Sequence, residues 1–291
     1  MRGPVRVAIA AAGLGLAFGV AVLAGAAVPQ IHDGTDAAAG GHGHAASAEA
    51  APHGGGHAAT APAGLAVAED GYRLVPAATT LPAGEAVTWR FRIVGPDGRA
   101  VTGFDVEHER RMHLIVVRRD LTGYQHLHPV MGRDGTWRVR VRLDAPGVHR
   151  AYADFSAGGH AHTLATDLSA PGAFAPRPVP APAAVARDGA YSAELAAGEA
   201  EAGATAELAY RLRRDGRPLD GVEPYLGADG HLVALREGDL AFLHVHPEVS
   251  DDPATIRFGA TLPSAGRYRL FLQFKHHGVV RTVAHTVVVP R

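Results

Sequence analysis

The chain contains no cysteine, which excludes disulfides, thiolate metal sites, iron–sulfur clusters, lipid attachment through cysteine and a cysteine nucleophile. It also lacks asparagine and has a single lysine, Lys275, against 27 arginines. That skew points to a GC-rich genome rather than to a function. No excess of either charge is present: 28 basic and 29 acidic residues leave a formal net charge of −1. A general nucleic-acid binder would show a basic surplus, so that class is set aside. Catalytic signatures are missing as well. There is no Gly-x-Ser-x-Gly elbow, no phosphate loop and no His-Glu-x-x-His pair, and no carboxylate pair recurs in register, so the expectation is that the protein is not an enzyme. The chain does have 18 histidines in 291 residues, a length of about two domains.

Arg2 and Arg6 precede an uncharged run from Val7 to Val28. A short basic region before such a run reads as an export signal, and the run is long enough to cross a bilayer as a helix. Ala24-Gly25-Ala26 offers a small-residue cleavage site. Residues 1–29 are therefore read as either a cleaved signal peptide or a retained membrane anchor. The remainder is expected outside the cytoplasm, secreted or held at the outer face of the membrane. Residues 30–64 are rich in Ala, Gly and His, including His32, His42, His44, His53 and His57. With almost no large apolar side chain, they are expected to form a disordered tether. Its histidines reflect either compositional drift or weak multi-site metal capture.

After the tether the sequence repeats. An offset of 118 aligns Asp97–Pro129 with Asp215–Pro247 without a gap, with 10 of 33 positions identical. An offset of 119 aligns the flanks, for example Gly147, Tyr152 and Phe155 with Gly266, Phe271 and Phe274. Two related domains follow, at 65–170 and 189–291, joined by a proline-rich segment at 171–188 that should be extended and stiff. Trp137, Val139, Val141 and Leu143 alternate with Arg138, Arg140 and Arg142, a period of two that marks a strand with one solvated face. Short strands between turn signals such as Pro96-Asp97-Gly98, and no long amphipathic pattern after residue 64, give an all-β expectation: two tandem immunoglobulin-like antiparallel β-sandwiches.

The histidines concentrate around one hairpin in each repeat. A two-residue turn at Gly238-Asp239 makes facing residues sum to 477, placing His231 across from His246 and Val233 across from His244. In the first repeat the sum is 241, with His113 facing His128 and Ile115 facing His126. Side chains alternate along a strand, so His113, His126 and His128 share one face, as do His231, His244 and His246. Three convergent imidazoles suit copper or zinc. Both faces of the hairpin are largely apolar, however, so structural histidines bonded to backbone fit the same pattern. Met112 should point away from its histidine neighbour, into the core. His276 and His277 should lie on the surface.

Met112-His113-Leu114-Ile115-Val116-Val117, Asp120-Leu121 and His126-Leu127-His128-Pro129 resemble a repeat of exported bacterial proteins related to extracytoplasmic β-sandwich domains of the YtkA and CopC kind. That resemblance implies a cupredoxin- or CopC-like sandwich, copper or heavy-metal handling, and a partner among membrane metal-handling proteins. The expected function is storage, buffering or delivery of copper or zinc outside the cytoplasm, with a histidine triad in each repeat. The alternative is a non-catalytic tandem immunoglobulin-like spacer or interaction module with structural histidines.

Overall fold

The computed structural model describes residues 62–197, 201–243 and 245–290. The signal or anchor segment and nearly all of the tether lie outside these residues. All regular structure in the described part is β, as expected, and no described helix is long and apolar enough to cross a membrane.

The first domain comprises β1 (Ala68–Glu69), β2 (Tyr72–Pro76), β3 (Ala86–Val94), β4 (His113–Arg118), β5 (Gln125–Leu127), β6 (Val130–Met131), β7 (Trp137–Arg142), β8 (Gly147–Ala157) and β9 (His160–Ala170). They form an outer sheet, β1-β2-β3-β7-β6, and an inner sheet, β5-β4-β8-β9. The second domain repeats this with β10 (Val185–Asp188), β11 (Tyr191–Ala197), β12 (Thr205–Arg214), β13 (Arg217–Pro218), β14 (His231–Arg236), β15 (Phe242–Leu243), β16 (Val245–Glu248), β17 (Thr255–Thr261), β18 (Gly266–His276) and β19 (Val279–Val289). Its outer sheet runs β10-β11-β12-β17-β16, with β13 on β12, and its inner sheet runs β15-β14-β18-β19.

Each domain has its own core between its two sheets. Trp89, Phe91, Ile93 and Trp137 meet Leu114, Val116 and Phe155 in the first; Tyr210, Phe258, Leu232 and Leu272 do the same in the second. Strand β7 buries Trp137, Val139 and Val141 and exposes its three arginines, as the alternation requires.

Strand β4 is buried at all six positions. The domains dock through their inner sheets, so its second face is covered by the other domain. Ile115, Val117, Leu121 and Tyr152 form a third apolar cluster with Val233, Leu235, Leu240, Phe242 and Phe271. The contact is reciprocal. Tyr152 lies 5.5 Å from Phe242, and their repeat equivalents Phe271 and Tyr124 stack at 4.1 Å.

Two neighbouring segments reinforce this joint. The last tether residues thread into it: the Phe242 N–H donates to the Ala63 carbonyl, and the Gly64 N–H donates to the Thr163 carbonyl, each bond 2.9–3.0 Å long. The proline-rich segment touches both domains. Its Arg177 N–H donates to Asp120 at 2.8 Å, and its Val179 carbonyl accepts from Arg267 at 2.9 Å.

The hairpin register follows the expected sums, with Ile115 opposite His126 and Leu235 opposite Phe242. The two-residue turn does not form. The Arg118 N–H donates to Thr122 O, and the Arg236 N–H donates to Ala241 O, so the loops have three and four residues. Leu121 and Leu240 take left-handed backbone, φ 62 and 64, and plug the joint. Burial of these leucines and the Arg118–Asp120 and Arg236–Asp239 ion pairs hold the loops, in which Gly238 and the adjoining Gly123 also take positive φ, 101 and 65.

Candidate metal centre

The His-x-His-Pro motif occupies a corner where the chain leaves the inner sheet. Strand β5 ends at Leu127, and after Pro129 the chain joins the outer sheet as β6, beside β7. Proline has no N–H to continue a ladder, which suits such an exit. His128 is therefore not the ladder partner of His113, yet its ring centroid lies 5.2 Å from that of His113. His113, His126 and His128 each offer a ring nitrogen within 4.8 Å of the others. This is the first expected triad, assembled.

The second repeat differs. His231 opens β14, but β15 stops at Leu243, and the backbone of His246 pairs with Gly259 in the outer sheet. The expected ladder pairing of His231 with His246 is absent because the chain switches sheets before reaching it. His244 lies outside the described residues. His231 instead joins the first triad across the joint, with its ring 4.5 Å from His126 and 5.8 Å from His113. Four imidazoles from two domains thus meet in one place.

Hydrogen bonds at the rim fix the tautomers. His113 Nε2 lies 3.1 Å from the Glu107 carbonyl, which can only accept, so that nitrogen carries the proton. His126 Nδ1 lies 2.7 Å from Gln273 Oε1 on β18, and the Gln273 amide nitrogen donates to Thr282 Oγ1. Oε1 is therefore an acceptor and Nδ1 the donor. In the neutral rings the remaining nitrogens, His113 Nδ1 and His126 Nε2, carry lone pairs and face each other at 3.0 Å. His128 Nε2 and His231 Nδ1 are buried without a hydrogen-bond partner among the described residues.

A proton is a poor remedy for these facing lone pairs. Burial, reinforced by the neighbouring His231 and His113, drives His126 well below its ordinary value, against the opposing pull of the Gln273 bond. Burial, with His113 and Arg110 nearby, lowers His128 to about 4; burial, with His113 and His108, lowers His231 to about 3. His113 is also lowered by burial despite its Glu107 bond. Outward N–H bonds to carbonyls with inward lone pairs are the arrangement that orients metal-ligating histidines. Two nitrogens about 2.1 Å from one tetrahedral ion lie about 3.4 Å apart, so a small opening of the 3.0 Å pair would admit an ion.

Sequence reasoning missed three participants. His108 sits with its ring 6.1 Å from His113 and 6.2 Å from His231. Asp154 is the ladder partner of His113, and Gln273, its repeat equivalent, is the ladder partner of His231. The offset of 119 pairs Asp154 with Gln273 and was the available signal. Two cavities of about 30 Å³ each, roughly one water in size, flank the cluster, and both are lined by His108 and Asp154. The remaining assignments divide. Met112 is buried in the first core, as expected. His276 is buried and bonded to the Tyr191 hydroxyl at 2.9 Å rather than exposed, because the hairpin turn begins only at His277.

No curated protein matches the chain. Among solved structures, the adhesin FdeC of Escherichia coli is 16% identical, with 77% of this chain and 65% of that one covered and a TM-score of 0.27. InvD of Yersinia pseudotuberculosis is 14% identical over 75% of this chain and 57% of that one, with a TM-score of 0.25. An I-band fragment of titin is 11% identical over 75% and 64%, with a TM-score of 0.21. The chain therefore spans about three fifths of the length of these proteins. The family model described as Domain of unknown function (DUF8832) matches twice, over 66–172 and 183–291, and the chain belongs to that family as a tandem pair of its domains.

Proposed function

We propose that the protein is an extracytoplasmic tandem immunoglobulin-like module that binds one transition-metal ion, copper or zinc, in the joint between its domains. His113, His126 and His128 supply the core ligands, and His231 completes the set from the second domain. The observation that carries this reading is the pair of facing lone pairs, His113 Nδ1 and His126 Nε2 at 3.0 Å, each oriented by an outward N–H bond. An all-nitrogen site suits Zn(II) and Cu(II). The role is storage, buffering or delivery without catalysis, and the resemblance to copper-handling YtkA- and CopC-type domains makes copper the first ion to try. A membrane metal-handling partner belongs to the same reading.

The reciprocal apolar joint favours a second reading, a rigid two-domain spacer or interaction module whose histidines are structural. The deciding experiment uses the full chain with His32, His42, His44, His53 and His57 replaced by Gln, so that the tether contributes nothing. Titration calorimetry and thermal melts with Cu(II) or Zn(II) at pH 7.5 should give one ion per chain and a raised Tm. Both effects should vanish in the His126→Ala/His128→Ala double variant. A chain that binds no ion stoichiometrically refutes the metal reading and leaves the spacer.

A further inference from the structure

Both domains carry the same tight turn just before the first strand of the inner sheet, and each uses it differently. In the second domain Tyr225 and Ala228 exchange backbone bonds around Leu226 and Gly227, whose φ values are 59 and 81. Two left-handed residues in succession define the turn type that normally calls for glycine or asparagine. Gly227 meets that demand, and Leu226 is driven into the core at 3% exposure. In the first domain Glu107 and Arg110 exchange the same bonds, at 2.8 and 2.9 Å, around His108 and Glu109. Their φ values are 47 and 63. Neither residue is glycine or asparagine, and Glu109 in particular is strained there, so the surroundings help to hold the turn. The Ser156 hydroxyl does so by donating to the Glu107 carboxylate, and the Asp105 N–H donates to the Ser156 carbonyl. The Glu107 carbonyl in turn accepts from His113. A strained turn is thus fixed to the cluster, and what it presents is an exposed imidazole where the other domain presents a buried leucine.

We propose that His108 is the capture ligand of the centre: a solvent-exposed imidazole that takes an incoming transition-metal ion first and passes it inward to His113 and His231. This rests on the reading that the buried cluster holds such an ion. His108 and Asp154 are the residues shared by the two cavities that flank the cluster, so an ion arriving through either meets both. The His108 ring stands about 6 Å from the His113 and His231 rings. The transfer is a ligand exchange in which one imidazole displaces water or another imidazole; no electron moves and the ion keeps its charge. Asp154, carrying opposite charge beside the path, accepts from Thr163 at 2.8 Å and is thereby held in place.

The test is stopped-flow binding of Co(II) and Zn(II) to the full chain bearing the tether substitutions, comparing His108 with His108→Ala and with Glu109→Gly, which relieves the turn while keeping the imidazole. The expected result for His108→Ala is an association rate at least tenfold slower with a Kd changed less than threefold, since release slows too. Glu109→Gly should keep the parent rate. An unchanged association rate in His108→Ala overturns the proposal. So does a tenfold or greater loss of affinity from faster release, which would make His108 a resident ligand. Failure of the parent itself to bind sinks the underlying metal reading, and is seen in the same titration before any variant is compared. A melt of His108→Ala without metal confirms that the fold is intact.

Discussion

The two repeats share topology, hairpin register and the position of the inner-sheet histidine, yet they contribute unequally to the joint. The first domain brings His113, His126 and His128 to one spot and faces them with Asp154. The second contributes His231 and Gln273 to that same spot. The two repeats therefore build one composite histidine cluster, with residues at equivalent positions taking complementary roles. Gln273 shows the logic. A carboxylate at that position would add charge to a buried contact, whereas the amide accepts from His126 and fixes its tautomer at no charge cost.

The largest expected break in this arrangement comes from acid. In the folded chain His128 and His231 are lowered to about 4 and about 3, while the unfolded chain protonates near 6.5. Between those values the unfolded state binds the protons, so the stability these neutral rings support is full above about pH 6.5. It is lost progressively as pH falls toward the folded values, by up to about 1.4 kcal/mol per pH unit for each histidine titrating. Denaturant melts from pH 7.5 to 4 should show this slope, and His231→Gln should flatten it. A pH-independent midpoint over that range contradicts the buried neutral cluster.

Next in size is Gly64, where the tether end threads between the domains. A Cβ there would meet Tyr152 at 2.7 Å and Phe242 at 2.8 Å, at φ 72. Gly64→Ala combines overpacking with a left-handed alanine and should cost about 2–4 kcal/mol in urea unfolding. Gly84→Ala, with a similar φ of 76 but nothing within 4 Å, isolates the backbone part at about 1 kcal/mol. Equal losses in the two variants would mean that the joint is loose at Gly64.

The fold was legible because strand alternation is a local signal and the 118-residue offset is read directly by comparing the chain with itself. The docking was only half legible. Apolar residues on both faces of β4 signalled a second covered face, but the pattern does not say what covers it, since burial by another sheet and burial by another domain look alike in sequence. Side-chain alternation grouped the three histidines of the first repeat, but the ladder arithmetic that paired His113 with His128 did not hold, because β5 ends at Leu127. That arithmetic failed for His246 because it assumed the hairpin continued, and the corner after Leu243 depends on tertiary packing. His108 escaped notice because its turn is held by the Glu107–Arg110 backbone bonds and the Ser156–Glu107 bond, the last a long-range contact that leaves no periodic signal in the sequence.

The smallest expected effects sharpen the comparison between equivalent aromatic positions. Tyr152 and Tyr124 occupy the sites of Phe271 and Phe242, so Tyr→Phe at either makes the first domain resemble the second. The Tyr152 hydroxyl donates to the buried Leu240 carbonyl at 2.6 Å, across the joint. Removing it leaves that carbonyl unpaired, and Tyr152→Phe should cost about 1–2 kcal/mol. The Tyr124 hydroxyl is buried with no hydrogen-bond partner among the described residues, so its desolvation is uncompensated while its ring stacks on Phe271 at 4.1 Å. Tyr124→Phe keeps the stacking and deletes the unpaired hydroxyl, so stability should hold or rise by up to about 1 kcal/mol. The two midpoints should move in opposite directions or, at the least, differ by about 1 kcal/mol. A loss at Tyr124 as large as that at Tyr152 would show that its hydroxyl has a partner in solution, most simply a bound water, and that the joint is wetter on that side.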